Sequence, residues 1–355
     1  MPYRLRNTNP KPGFWGCTLA IFLLTAANLL HAQHSAHYTV ASGSKGASFY
    51  PVARALCRHI ERSRLDFTCE AVPTPGSKYN LQALNGGTHD LALSQHYLQY
   101  LAWQGLPPFK RTHSELRTIA PLYREVFVLA ATPESGIAML DDLPGKRVNI
   151  GNAGSGTRLV VEALFDHLGW QLNDFKIYSS RSSELPDLLC KGQIDAAIYS
   201  TGHPNTIYRR LVDECGVRLI DMWNDKIAGF VADNWAYAPA DIPTGTYRSL
   251  PKDINGFGMQ IILSARRDLP PAHVEQILRV LITEKNALKE DAAIYRAIDA
   301  SRYPLQRIAP YHKGVSLFFR DPTGSQDRNN SFQGKRYEEK SGAPMTQRMF
   351  RPSSF

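Results

Sequence analysis

The residue types best suited to chemistry in this chain stand in two Gly/Ser loops, "SGSKGASFYP" (Ser42–Pro51) and "GNAGSGTR" (Gly151–Arg158), each running from an apolar strand into a helix. A helix N-terminus preceded by Gly and Ser presents unpaired amides and a partial positive charge, so it suits an anion. A nucleotide P-loop would need Gly-Lys-Ser/Thr after four residues, and "GNAGSGTR" has no Lys. The dinucleotide fingerprint fails as well, because "GSGTRL" lacks its third glycine. Ser155 lies in Gly-Ser-Gly and not in the G-x-S-x-G elbow of hydrolases, and no nucleophile has an oriented base. No catalytic residue is therefore assigned, and the protein is not expected to be an enzyme. His31, His34 and His37 recur every third residue, but on a chain end, and no Cys pair has zinc spacing. Neither a metal nor a cofactor is expected. The remaining chemistry is a small carboxylate held between two opposed helix N-termini. Two plainer roles compete with it: glycines that only make tight turns, and Ser44, Ser77 and Thr157 acting only as helix caps. Doubling of the loop favours the ligand. Arg158 reads equally as a carboxylate clamp or as a solvent-facing residue.

The elements that must position these loops repeat. A strand at Tyr38–Ala41, the first loop and a helix started by Pro51 precede "DFTCEAVPTPGSKYNLQALNGGTHDLALSQ", read as a strand, a turn at Pro75 and Gly76, a short helix and a strand at Leu91–Ser94. The second half begins with a strand at Val148–Gly151, the second loop, and a helix with Leu159, Val160, Ala163, Leu164 and Leu168 on one stripe and Gly169 as its stop. "DFKIYSS" then reads as a strand, "SSELPDLLCKGQ" as a helix, and "IDAAIYSTGHPN" as a strand and loop. After about Asp225 turn signals dominate, with a strand at Met259–Ser264 and a helix from Pro271 to about Asn286. Alternating strands and helices predict an α/β fold of two lobes, each a mostly parallel sheet flanked by helices. In such sheets ligands lie beyond the C-terminal strand ends, where both loops stand.

Length supports two lobes: 355 residues are long for one core. The formal charge of +9 is not a nucleic-acid signal, because residues 1–32 supply +3 and residues 321–355 supply +2, leaving +4 spread without a basic cluster. Arg4, Arg6 and Lys11 precede the apolar run Phe14–Leu30, which predicts a signal peptide over 1–32 cleaved after Ala32, with a retained anchor as the alternative. The polar stretch 322–355 reads as a disordered tail. Beyond the leader stand Cys57, Cys69, Cys190 and Cys215. In an exported chain they read as disulfides with three possible connectivities. Cys57 with Cys69 and Cys190 with Cys215 closes short loops within single lobes.

"SGSKGASFYP", "GSKYNLQAL", "LALSQ", "GKRVNIGNAGSGTR", "LLCKGQIDAAIYSTGHPN" and "APYHKGVSLFFRD", in that order from about Tyr38 to Asp321, resemble the TAXI family of TRAP-transporter solute-binding proteins. The resemblance implies a periplasmic receptor with a Venus-flytrap fold. It would bind a solute such as glutamate, glutamine or a dicarboxylate and deliver it to the membrane subunits of a TRAP-type secondary transporter. Carried over, the cleft is lined by Ser44, Ser48, Tyr50, Ser77, Asn80 and Gln95 from one lobe. The other supplies Ser155, Gly156 and Thr157, with Arg158, Gly202, His203 and Asn205 nearby. The resemblance also places cysteines where the four stand. This chain departs from the family at His96 and Tyr97, where Ser-Asp is usual, and at "YREV", which keeps Glu125 but loses two prolines at a lobe crossing. Lobe 1 is expected to be 37–125 plus about 228–321, and lobe 2 to be 126–227. A monomer without nucleic-acid partners is expected. An exported enzyme on the same scaffold, or a sensor without a transport role, is the alternative.

Overall fold

The computed structural model describes residues 36–292 and 308–320, besides Met1. The expected signal peptide, His31 and His34, and the tail from residue 322 lie outside the described residues.

The first half runs β1 (Ala36–Ala41), α1 (Phe49–Arg62), β2 (Phe67–Val72), α2 (Ser77–Asn85), β3 (Leu91–Gln95), α3 (His96–Gln104) and β4 (Leu116–Ala131). The second continues with β5 (Arg147–Asn149), α4 (Gly156–His167), β6 (Lys176–Tyr178), α5 (Leu185–Cys190), β7 (Ala196–Thr201), α6 (Thr206–Asp213), β8 (Arg218–Ile220), α7 (Asp225–Ala232) and β9 (Ala238–Ile242). The chain closes with β10 (Ile254–Arg266), α8 (Pro271–Thr283), α9 (Lys285–Asp291) and α10 (Lys313–Arg320). Each expected strand has a counterpart. The first helix starts at Phe49, two residues before Pro51, so the proline occupies the first turn without opening it.

The sheet order is β2-β1-β3-β10-β4-β7-β5-β6, with β8 on β4 and β9 on β10. β1 pairs parallel with β2 and β3, and β5 pairs parallel with β6 and β7. The two long strands β4 and β10 run antiparallel to each other and join these parallel groups. Their register shifts between Ile261 and Ile262 and between Leu263 and Ser264. Pro121 stands at the first shift, where a residue without an amide is tolerated inside a sheet. Beyond it, a Cβ on Gly258 would meet the Glu125 carbonyl oxygen at 2.3 Å, so only glycine lets the strands approach this closely.

Both faces of each parallel group are covered by helices, giving three-layered packing on either side of the long pair. In the first, Val52, Leu56 and Ile60 of α1 and Ile277 and Leu281 of α8 pack on one face, while Leu81, Leu84 and Leu98 cover the other. In the second, Val160 and Leu164 of α4 meet Phe127 and Leu129, while Leu211 of α6 meets Val126 and Val128. Successive residues of β4 thus feed opposite cores, as strand alternation requires. Phe230, Tyr237 and Phe257 belong to the core around Phe127, and Tyr247 and Ile254 to the core around Val128. The stretch expected to rejoin the first lobe at about residue 228 therefore packs with the second group until about Met259.

Cys57 is bonded to Cys69, tying α1 to β2, and Cys190 is bonded to Cys215, joining the end of α5 to the loop after α6. Non-reducing peptide mapping is expected to recover these two pairs; any peptide linking Cys57 or Cys69 to Cys190 or Cys215 would contradict this arrangement.

Candidate functional site

The C-terminal ends of β1, β3, β5 and β7 converge on one narrow cavity of about 40 Å³. From the first half come Gly43 and Ser44 after β1, Pro75 to Ser77 at the start of α2, and Gln95 at the end of β3. Glu125 enters from β4. From the second half come Asn152 and Ser155 to Thr157 at the start of α4, Ser182 after β6, and Tyr199 and Ser200 of β7.

Ser155 is the N-cap of α4: its Oγ accepts from the Arg158 amide (3.2 Å) and donates to the Asn152 carbonyl (2.7 Å). Its hydroxyl is thereby occupied with the backbone, although the capping alternative names Ser44, Ser77 and Thr157 and not Ser155. The amides of Gly156 and Thr157 ahead of it have no partner among the described residues, the usual condition of a first helical turn. Ser77 also serves the scaffold, its Oγ accepting from the Gln95 amide (3.2 Å).

Glu125 is the centre of a buried network. Its Oε1 accepts from Ser48 Oγ (2.8 Å), which itself accepts from the Tyr123 hydroxyl (3.0 Å). Its Oε2 accepts from Gln95 Nε2 (3.2 Å) and Ser200 Oγ (3.0 Å). Gln95 Nε2 also reaches Ser200 Oγ (3.1 Å), and Thr157 Oγ1 pairs with that same hydroxyl (2.8 Å). Burial pushes the Glu125 carboxyl up to about 7, although the three side-chain donors pull the other way. The nearby carboxylate adds to burial in raising the Tyr199 hydroxyl.

The two halves also touch around the cavity. Ser44 Oγ pairs with Ser182 Oγ (2.5 Å), Asn152 Nδ2 donates to the Pro75 carbonyl (3.2 Å), and Asn205 Nδ2 donates to the Gly46 carbonyl (3.3 Å). Gly156 leaves room for the Gln95 side chain, since a Cβ there would lie 2.0 Å from Gln95 Oε1 and would force that side chain to move.

Of the residues expected in the site, Ser44, Ser77, Gln95, Ser155, Gly156 and Thr157 line the cavity. Ser48 stands behind it, holding Glu125. Asn80 is scaffold: its Nδ2 donates to the Ser42 and Leu93 carbonyls (2.6 and 2.8 Å) and its Oδ1 accepts from Thr74 Oγ1 (2.5 Å). Tyr50 and Gly202 do not line the cavity. Arg158 is no clamp here, because its Nε donates to Glu162 one turn along α4 and its Nη1 to Ser179. Asn205 caps α6, accepting from the Ile207 amide (2.9 Å). His203 Nδ1 lies 2.5 Å from the Tyr247 hydroxyl, which accepts from the Asn205 amide (3.0 Å). Burial pushes His203 down to about 3, so its ring is neutral and Nε2 is buried without a partner among the described residues. Sequence reasoning missed Glu125, Ser182, Tyr199 and Ser200 as lining residues. The one available signal was a glutamate inside an apolar run, "YREVFVLAA".

Among solved structures, similar ones include the periplasmic aliphatic sulphonate binding protein SsuA from Escherichia coli, at 14% identity and TM-score 0.42 over 80% of this chain and 83% of that one. Another is a putative L-cystine ABC transporter from Listeria monocytogenes, at 16% identity and TM-score 0.46 over 75% of this chain and 97% of that one. The family model for the NMT1-like family matches residues 40–321, a span that includes every cavity-lining residue. The chain belongs to the NMT1-like family.

Proposed function

We propose that this protein is an extracytoplasmic receptor that closes two lobes on one small carboxylate and delivers it to the membrane subunits of a TRAP-type secondary transporter. The observation that carries the reading is the cavity itself. The free amides of Gly156 and Thr157, at the positive end of α4, share its wall with the hydroxyls of Ser44, Ser182 and Ser200. A carboxylate there gains charge-assisted hydrogen bonds without an arginine. Lobe 1 comprises residues 37–125 and about 260–321, and lobe 2 comprises 126–259, with β4 and β10 as the crossings. Closure is a population shift favoured by contacts that exist only when the lobes meet, among them Ser44 with Ser182 and Gln95 with Ser200. The two disulfides support export, since such bonds persist in oxidising compartments. The transporter class follows the motif resemblance.

Thermal shift and calorimetry against amino acids, dicarboxylates and aliphatic sulfonates test the reading. A true ligand at about a hundred times its Kd stabilises by about 2.7 kcal/mol. Binding of a carboxylate supports the proposal; a folded protein that binds only sulfonates, or none of the panel, overturns it.

A further inference from the structure

The charge inside the cavity narrows the solute further. No Lys, Arg or His lines the cavity among the described residues, and its one formally ionisable carboxylate is Glu125. Tyr199 is the other titratable group on its wall. Of the basic residues adjoining the lining in sequence, Lys45 and Arg181 are exposed, Arg124 donates to the Pro239 carbonyl, Arg158 is engaged by Glu162 and Ser179, and Lys78 and His96 are not on the wall. A dianion would therefore meet a buried carboxylate with no cation to offset either charge, an arrangement that low dielectric makes costly.

The polar groups left over describe the complementary ligand. Gln95 has its amide orientation fixed, because Nε2 faces two acceptors in Glu125 Oε2 and Ser200 Oγ; turning the group would set its oxygen against the carboxylate. Its Oε1 is consequently held at the wall beside Gly156, buried and without a partner. Donors without acceptors, the Gly156 and Thr157 amides, and acceptors, Glu125 and the Gln95 Oε1 beside Gly156, thus line the same small cavity. Thr157 and Glu125 are linked through Ser200 by hydrogen bonds of 2.8 and 3.0 Å, close enough for one small molecule to touch both groups.

Resting on the reading of this cavity as the solute site, we propose that Glu125 and Gln95 are specificity residues that receive a protonated amine. The solute is then a zwitterion of the amino-acid type, carboxylate on the α4 amides and ammonium toward Glu125, and amine-free dicarboxylates are rejected. This also gives the buried glutamate a role that a structural residue would not need, since an ammonium beside it favours its ionised form.

Calorimetry at pH 7.5 on the whole protein, with the pairs L-glutamate and glutarate, L-aspartate and succinate, and L-alanine and propionate, reads this out. In any pair that binds, the amino acid is expected to be at least about tenfold tighter than its amine-free partner, the size of one lost charged hydrogen bond. Glu125→Gln is expected to bring the two members within a few-fold of each other. An amine-free acid binding as tightly as its partner overturns this specificity while leaving the receptor reading in place, and so does a gap unchanged in Glu125→Gln. Silence from all six compounds overturns both. If Glu125→Gln does not fold, the wild-type pairs still decide.

Discussion

Glu125→Gln is expected to become steadily more stable than the parent protein as pH rises from about 4.5 to 7. The ordinary value for a glutamate is 4.5, and burial raises Glu125 to about 7 in the native state. Between these values the native protein holds a proton that the unfolded chain has released, so stability falls as pH rises. The contribution is complete below 4.5 and lost by the time pH passes 7, a change of about 3 kcal/mol for a displacement of this size. Glutamine reproduces the neutral form: its carbonyl can accept from Gln95 and Ser200 as Oε2 does, and its amide can donate toward Ser48 as the protonated Oε1 would. Urea unfolding of both proteins at several pH values gives the difference, in which all other titrations cancel. A difference constant from pH 4.5 to 8 would show that Glu125 ionises normally.

How much of this site was legible in the sequence depends on what decides each residue's direction. Ser155, Gly156 and Thr157 were legible because a strand, a Gly/Ser loop and a helical stripe fix a helix N-terminus locally, and parallel topology then puts it at the ligand edge. Arg158 was not, because two local partners, Glu162 on the same helix face and Ser179, compete for its guanidinium. His203 and Asn205 follow β7 directly, yet their partner Tyr247 lies more than forty residues away and no local pattern reveals it. Glu125 was seen only as part of a lobe crossing. Its inward direction follows from β4 being buried on both faces, which turns period-two alternation into the unbroken run "FVLAA" and erases the signal that would mark which side faces the cavity. The packing of the stretch after residue 228 was hidden for a related reason: Tyr237 and Phe257 join the core around Phe127 and Tyr247 the core around Val128, contacts set by tertiary pairing of β9 and β10 and not by a local pattern.

Ser155→Asp separates binding from folding more sharply than any other single change. Aspartate is as good an N-cap as serine, so its carboxylate can still accept from the Arg158 amide, and its charge suits the positive end of α4. The melting temperature is therefore expected to stay the same or rise. The same charge stands beside the Gly156 and Thr157 amides and repels any anion approaching them, with buried Glu125 already in the same cavity. Loss of two charge-assisted hydrogen bonds at roughly 1.5–3 kcal/mol each gives a fall in affinity of about a hundredfold to ten-thousandfold. Calorimetry with whichever acid binds the parent, beside a thermal melt of the same sample, reads both effects. Retained affinity in a well-folded variant would mean that the solute does not use the α4 amides, and the carboxylate would then have to be sought at the start of α1, where the Phe49 and Tyr50 amides precede Pro51.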